Sequence, residues 1–263
     1  MINALVSSFF KLLKKPSYFI PSLIGMFLTT VIFLIFSENY FNLIYKIFVF
    51  GEIPQTELFN LPFYLLSIYA TDLFAITLST FISISIGFFV LYVYSTLIND
   101  SQLSVSKAIT RNFEKISEII GLSFFVFVIG FLYAGIGFLL GLINNSFESL
   151  GLLVVFLALL WIVTGIYIYT KLAFTPLLMS IEKQNLKQAL SKSWKQSENK
   201  MLEILIFLTV LSAIVQAMNF FVSTFADAIG VEIITLLVLI IGLGFTNAYY
   251  NISFIKYFLN SKK

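Results

Sequence analysis

The stretch Val105–Phe113, VSKAITRNF, returns later in the chain as Leu186–Trp194, LKQALSKSW, and most aligned positions match by chemical class. Each copy lies between two long apolar runs. Polar segments that recur between similar runs are typical of duplicated structural units, and apolar runs of about 20 residues are typical of membrane-spanning helices. The repeat therefore predicts an all-α, polytopic membrane protein built from related units.

Composition supports a membrane protein and excludes several kinds of chemistry. Of 263 residues, 59% are hydrophobic and 11% are charged, whereas roughly 25% are charged in an average soluble domain. The chain has neither Cys nor His, so we expect no disulfide, no imidazole catalysis and none of the usual zinc or haem sites. We expect no cofactor, and no nucleic-acid partner because no dense basic patch stands apart from the apolar runs.

The apolar runs predict six spans, which are Tyr18–Phe36 and the segments 73–98, 119–143, 150–179, 201–223 and 233–258. The run Leu61–Ile98 would be ~57 Å long as one helix, too long for a single crossing. We therefore expect a break at Thr71 and Asp72, a plausible N-cap. The outer segment 37–60 is rich in aromatic residues, and for 37–72 an interfacial and a re-entrant arrangement both remain open.

Charge asymmetry orients the chain. With the N-terminus on the cytoplasmic side, every Lys and Arg except Lys46 lies in an inner segment or near the inner end of a span. Such a bias is the positive-inside pattern of membrane proteins. We expect both termini in the cytoplasm of a prokaryotic cell, with the protein in the cell membrane.

Each inner segment contains a predicted amphipathic helix before a pair of spans. In the N-terminal copy, Ala4-Leu5 and Ser8-Phe9 align with Ala189-Leu190 and Ser193-Trp194. The chain is then one membrane domain, 1–263, made of three units at about 1–100, 101–181 and 182–263. Each unit is a surface helix followed by a transmembrane hairpin.

The surface helices carry the first set of candidate functional residues. Apolar and basic residues segregate to opposite faces at helical spacing, which suits a helix at the headgroup boundary of a membrane with anionic lipids. Two interpretations stay open: packing across the inner ends of the spans, or binding of lipids or of a membrane partner. The candidate binding residues are Lys107, Arg111, Lys115, Lys187, Lys192, Trp194 and Lys195.

One segment resembles a known family. The run Phe174-Thr175-Pro176-Leu177-Leu178, then Glu182, then Ala189–Lys195 is similar to the YciC-like proteins and the membrane domain of some glycerophosphoryl diester phosphodiesterases. Members of that family often have Gly after the helix, where Ser197-Glu198-Asn199 stands here. The resemblance implies a six-span membrane protein of no established chemistry, and it carries no hydrolase activity because it concerns the membrane domain alone.

Polar residues inside the predicted spans form the second set of candidates, because each costs free energy in a bilayer. Lys171 in span four is expected either to reach the inner headgroups or to pair with Glu203, and Pro176 is expected to kink or end that span. A polar cavity and ordinary interhelical hydrogen bonds both explain the amides. The candidates for a polar site between spans four, five and six are Lys171, Glu203, Gln216, Asn219, Asn247 and Asn251.

These patterns lead to two functional hypotheses. The first is a non-enzymatic membrane protein that engages lipids, another membrane protein or a second copy of itself through its basic inner helices. The second is a small-solute transporter or channel that uses the polar site between spans four, five and six. No catalytic residue is predicted, because no acidic pair, nucleophile motif or metal-ligand set occurs at membrane depth.

Overall fold

The computed structural model describes residues 1–42, 61–100, 102–146 and 151–262, and the described residues contain helices and no strand. The helices are α1 (Ile2–Lys14), α2 (Ile20–Tyr40), α3 (Leu61–Asn99), α4 (Val105–Phe113), α5 (Ile116–Ser146), α6 (Gly151–Leu172), α7 (Thr175–Glu182), α8 (Leu186–Glu198), α9 (Met201–Asp227) and α10 (Glu232–Ser261). A single 3-10 turn, Pro16–Phe19, links α1 to α2.

Six segments are long and apolar enough to cross a membrane, as the sequence predicts. They are Pro16–Tyr40, Tyr69–Asn99, Ile116–Gly141, Gly151–Glu182, Met201–Asp227 and Glu232–Ser261, hereafter spans one to six. Between 6% and 28% of the apolar window in each span is buried within the protein. So much apolar surface left uncovered needs a hydrocarbon solvent, and the protein is an integral membrane protein.

The long run that begins at Leu61 is broken, although not at the predicted residues. The backbone leaves helical geometry at Tyr69, with φ −117° and ψ 21°, before the expected break at Thr71 and Asp72. Asp72 does not cap the following helix. Its Oδ1 instead accepts a 2.6 Å hydrogen bond from Nδ2 of Asn39, so this half-buried carboxylate has a donor. The aromatic segment 43–60 lies outside the described residues.

The chain divides into two compact units. The first comprises Met1–Leu28, Ile86–Leu122 and Ile166–Lys263, and the second Thr29–Ser85 and Ser123–Gly165. The first unit contains all of α1, α4, α7, α8, α9 and α10.

The core of the first unit is built around α7, a short helix that follows the break in span four. Its residues from Thr175 to Ser180 are all buried. Phe174, just before it, stacks on Phe254 of α10, with ring centroids 6.2 Å apart. A pair of tyrosines joins spans one and two in the same unit: the Tyr94 hydroxyl donates to the Tyr18 carbonyl, and the Tyr18 hydroxyl donates to the Leu97 carbonyl.

In the second unit, a reciprocal contact joins spans three and four. Nε1 of Trp161 donates a 3.0 Å hydrogen bond to the Tyr133 carbonyl, and the Tyr133 hydroxyl donates a 2.6 Å bond to the Trp161 carbonyl. Gly137 permits the close approach, because a Cβ there would lie 2.6 Å from the Trp161 ring. Helix packing therefore accounts for Gly137, whereas Gly130 and Gly141 of the same helix face open space.

Candidate functional site: the surface helices

The three surface helices, α1, α4 and α8, bury the same kind of residue pair. Each buries an alanine completely and, one turn later, a small polar side chain. The pairs are Ala4 and Ser8, Ala108 and Asn112, and Ala189 and Ser193. The residues that all three helices bury at matching positions are therefore small, although α1 also buries Leu5 and Leu12. The small residues let each helix lie close to its neighbours.

The residue after each buried polar group is aromatic, exposed and in contact with a span. Phe9 packs edge-on against Phe245 in span six, Phe113 lies 5.0 Å from Phe89 in span two, and Trp194 lies 5.7 Å from Tyr167 in span four, measured between ring centroids. An aromatic residue that touches a span and also faces outward is typical of the membrane interface.

Polar contacts join the same pairs of elements. Asn112 of α4 donates a 3.0 Å hydrogen bond to the hydroxyl of Thr96 in span two. Ser193 of α8 donates a 2.7 Å bond to the carbonyl of Lys171 in span four. Lys256 in span six donates a 2.9 Å bond to the hydroxyl of Ser7 in α1. Each surface helix thus contacts the span that precedes it, and α1 contacts the last span of the chain.

The seven predicted binding residues fall into two groups. Lys107, Arg111, Lys187 and Lys195 are exposed, and none forms an ion pair with any residue that the structure describes. These four residues, together with Trp194, remain available to a ligand. We refer to the four as the free cations.

Lys192 and Lys115 are instead engaged within the protein. Lys192 forms a 2.5 Å ion pair with Glu182, which also pairs with Lys262. Nζ of Lys115 lies 3.4 Å from the Ser180 carbonyl and 5.9 Å from the centre of the Tyr92 ring. Burial lowers the pKa of the Lys115 ammonium; Glu118 opposes this shift and Arg111 adds to it. Both residues join helices of the first unit.

Lys171 is buried and does not pair with Glu203. Its side chain is 3% exposed, and Nζ lies 3.5 Å from the Trp194 carbonyl and 5.4 Å from the centre of the Trp194 ring. Glu203 instead accepts a 3.2 Å hydrogen bond from the hydroxyl of Tyr257. Of the two expected arrangements, the pair with Glu203 is therefore not formed, because Lys171 lies among the Trp194 carbonyl and the Trp194 and Tyr167 rings instead.

The predicted amides contact nearby residues. Asn251 donates to the side-chain oxygen of Asn247, as expected for neighbours one turn apart, and Nδ2 of Asn247 lies 3.8 Å from the sulfur of Met26 in span one. Asn219 accepts a 2.6 Å bond from Thr246. Gln216 is exposed on the outside of α9. The Asn219–Thr246 and Asn247–Met26 contacts join different helices, whereas the Asn247–Asn251 bond lies within α10 and follows from their one-turn spacing.

Pro176 stands in the first turn of α7, directly after the turn at 173–174 that ends α6. Proline is favoured there because its missing N–H is not needed in the first helical turn. Span four therefore breaks near the predicted position, and the chain continues as a buried helix. The carbonyls of the last turn of α6 need partners from outside that helix, which Ser193 supplies.

The sequence analysis did not identify the role that two serines of α8 share. Ser193 and Ser197 both direct their hydroxyls toward the Lys171 carbonyl, at 2.7 and 3.5 Å. Their spacing of four residues, in line with Ala189, was the available signal. In the sequence this spacing looks the same as that of an ordinary solvent-exposed polar face. Only the position of span four shows that these serines face the protein instead.

The groups presented by the surface helices are ammonium, guanidinium, indole and phenyl groups. Such a set binds anions and amphiphiles through charge and aromatic contact. Among the described residues no three carboxylates lie close enough to hold a metal ion. No family model, curated protein or solved structure matches this chain.

Proposed function

We propose that this protein is a non-enzymatic integral membrane protein whose surface helices bind anionic lipid headgroups at the cytoplasmic face of the cell membrane. The observation that carries the proposal is the set of four free cations. They project from α4 and α8, whose aromatic residues Phe113 and Trp194 pack against spans two and four.

The position of the aromatic residues supports a site at headgroup level. Trp194 is 41% exposed while it contacts Tyr167, near the inner end of span four. Indole rings favour the boundary between acyl chains and headgroups. The free cations on the same helices then reach lipid phosphates, and each contributes ~1 kcal/mol to attraction by an anionic surface.

The chain order supports a shared face for all three helices. All six spans cross the bilayer in this arrangement. None of them precedes α1, two precede α4 and four precede α8, so the three helices lie on the same side of the membrane. The matching buried pairs in the three helices favour three related units, at about 1–100, 101–181 and 182–263. Both termini then lie on the same side, and the excess of Lys and Arg there favours the cytoplasm.

The resemblance of Phe174–Leu178, Glu182 and Ala189–Lys195 to the YciC-like proteins supports the same arrangement. Within this segment, Pro176 follows the turn that ends α6, and Ser193 and Ser197 of α8 bind the Lys171 carbonyl. Glu182 then joins α7 to Lys192 of α8. The contacts of this segment hold α8 against span four and α7.

A lipid-enrichment experiment tests the proposal. The protein is reconstituted in nanodiscs of phosphatidylcholine with a minor fraction of phosphatidylglycerol, then extracted, and the lipid that remains bound is quantified. We expect phosphatidylglycerol enrichment in the wild type and its loss in K107Q/R111Q/K187Q/K195Q. The charge-preserving variant K107R/R111K/K187R/K195R is the matched control and should keep the enrichment. Equal enrichment in the neutralised variant would contradict the proposal.

A fluorescence measurement tests the depth of Trp194. Brominated acyl chains quench tryptophans that lie close to them, and the chain contains two, Trp161 and Trp194. The W194F variant gives the contribution of Trp161 alone. We expect the difference to be quenched most strongly by bromines near the headgroup. A Trp194 signal that no brominated lipid quenches would place α8 away from the bilayer.

A further inference from the structure

An open groove of about 550 Å³ is lined by residues of α1 and by Lys15, just after it. Apolar and basic residues line it together, the principal ones being Val6, Ser7, Phe10, Lys11, Lys14 and Lys15. This groove is separate from the free cations of α4 and α8. None of its residues belongs to the proposed binding set.

A fourth cation is brought to this groove from the far end of the chain. Lys256 in α10 donates a 2.9 Å hydrogen bond to the hydroxyl of Ser7, which lines the groove. On the other side, Nζ of Lys11 lies 4.9 Å from the centre of the Tyr18 ring. The Ser7 and Tyr18 contacts thus hold two ammonium groups beside the groove.

Three of these lysines, Lys11, Lys14 and Lys256, keep their positive charge without a carboxylate partner among the described residues. Burial lowers the pKa of Lys11, and the charge of Lys15 lowers it further. Like charges that are crowded in this way are stabilised by a bound anion.

We infer that α1 and the inner end of α10 form a binding site for a phospholipid that carries two phosphate groups. Three unpaired ammonium groups exceed what one phosphodiester neutralises, and basic pockets at the inner ends of spans suit such headgroups. The inference rests on the proposed function only in requiring that this face meets the inner leaflet.

The apolar part of the groove favours a lipid over a free phosphate. Val6 and Phe10 are 50% and 54% exposed, and both line the groove beside the lysines. A soluble diphosphate leaves these side chains in water, whereas the glycerol and acyl groups of a lipid cover them. The lipid source is therefore the one to which we commit.

Native mass spectrometry of the detergent-solubilised full chain, titrated with diphosphatidylglycerol, tests the inference. We expect one tightly bound lipid in the wild type and binding ~100-fold weaker in K11Q/K14Q/K256Q, because each of the three basic residues near an anionic lipid contributes roughly fivefold. The charge-preserving K11R/K14R/K256R should keep the tight site. A neutralised variant that binds within about twofold of the wild type would overturn the inference.

Two further arms separate this site from the proposed function and from free phosphate. K107Q/K187Q/K195Q removes the same number of charges from α4 and α8, and it should keep the tight diphosphatidylglycerol site while it loses phosphatidylglycerol enrichment. Equal weakening by both sets would show a general surface attraction and overturn a discrete site. Pyrophosphate should not displace the lipid, and displacement would identify a soluble ligand instead.

The single variant K14Q guards against a folding artefact. Lys14 is exposed at the end of α1, so its neutralisation should leave thermal unfolding unchanged and weaken diphosphatidylglycerol binding roughly fivefold. Unchanged affinity in a K14Q protein that is folded would count against the site even if the triple variant misfolds.

Discussion

The hydroxyl of Ser193 donates a 2.7 Å hydrogen bond to the main-chain carbonyl of Lys171. This bond fastens the surface helix α8 to the backbone of span four, at the turn where α6 ends. The Lys171 ammonium in turn lies beside the carbonyl and ring of Trp194. The two residues thus fix the position of the indole that we place at the membrane interface.

Ser193→Ala is expected to destabilise the protein by ~1 kcal/mol, because a buried carbonyl loses its closer hydrogen-bond donor. Ser197, at 3.5 Å, is a weaker substitute. Thermal unfolding in detergent measures the effect. Ser191→Ala on the exposed side of α8 is the matched control and should leave stability unchanged. Equal stability of the two variants would show that the Lys171 bond is not structural.

Glu182→Gln is expected to loosen the C-terminal end of α10. The carboxylate pairs with Lys192 of α8 and with Lys262 just after α10, and partly exposed pairs contribute ~1 kcal/mol or less. The chain has no Cys, so a spin label on a single Cys at Asn260 reports the local mobility, which should rise.

Glu198→Gln provides the comparison for that label. Glu198 is an exposed carboxylate at the end of α8 without an ion pair among the described residues. Its neutralisation should leave the spectrum unchanged. A spectrum for Glu182→Gln identical to that of Glu198→Gln would mean that the two ion pairs do not restrain the C-terminus.

Gly137→Ala is expected to separate spans three and four locally. The added methyl would meet the Trp161 ring at 2.6 Å, and overpacking of this kind costs about 1–3 kcal/mol. Unfolding temperature should fall, and Trp161 emission should change as its stacking on Tyr133 is disturbed. Gly130→Ala meets open space and should have no effect; a matching loss there would indicate a general helix effect.

Labelling of single Cys residues in intact cells tests the orientation. A membrane-impermeant reagent should label a Cys at Asp227, which lies at the outer end of span five in our arrangement. A Cys at Lys187 in α8 should be labelled only after the cells are opened. Labelling of the Lys187 position in intact cells would reverse the orientation and place the free cations outside.

Composition and periodicity were sufficient to predict the six spans and the three surface helices. Apolar runs of the right length cross a bilayer whatever their partners, and Ser104 and Asn185, which the structure shows as N-caps of α4 and α8, mark their starts locally. The alternative that paired Lys171 with Glu203 was wrong, because it depended on distances between helices. In the folded protein Lys171 reaches the Trp194 carbonyl and Glu203 reaches the Tyr257 hydroxyl, and the spacing of these residues along the sequence does not predict either contact.

The membrane character and the order of helices follow from the chain alone, because hydrophobicity and helix capping depend on residues that are adjacent along the sequence. Packing of the folded chain was required to divide the cations predicted on α4 and α8 and just after α4 into the engaged residues Lys192 and Lys115 and the four free ones. It also brought Lys256 to Ser7, since a contact between the two ends of the chain exists only after the helices between them have packed.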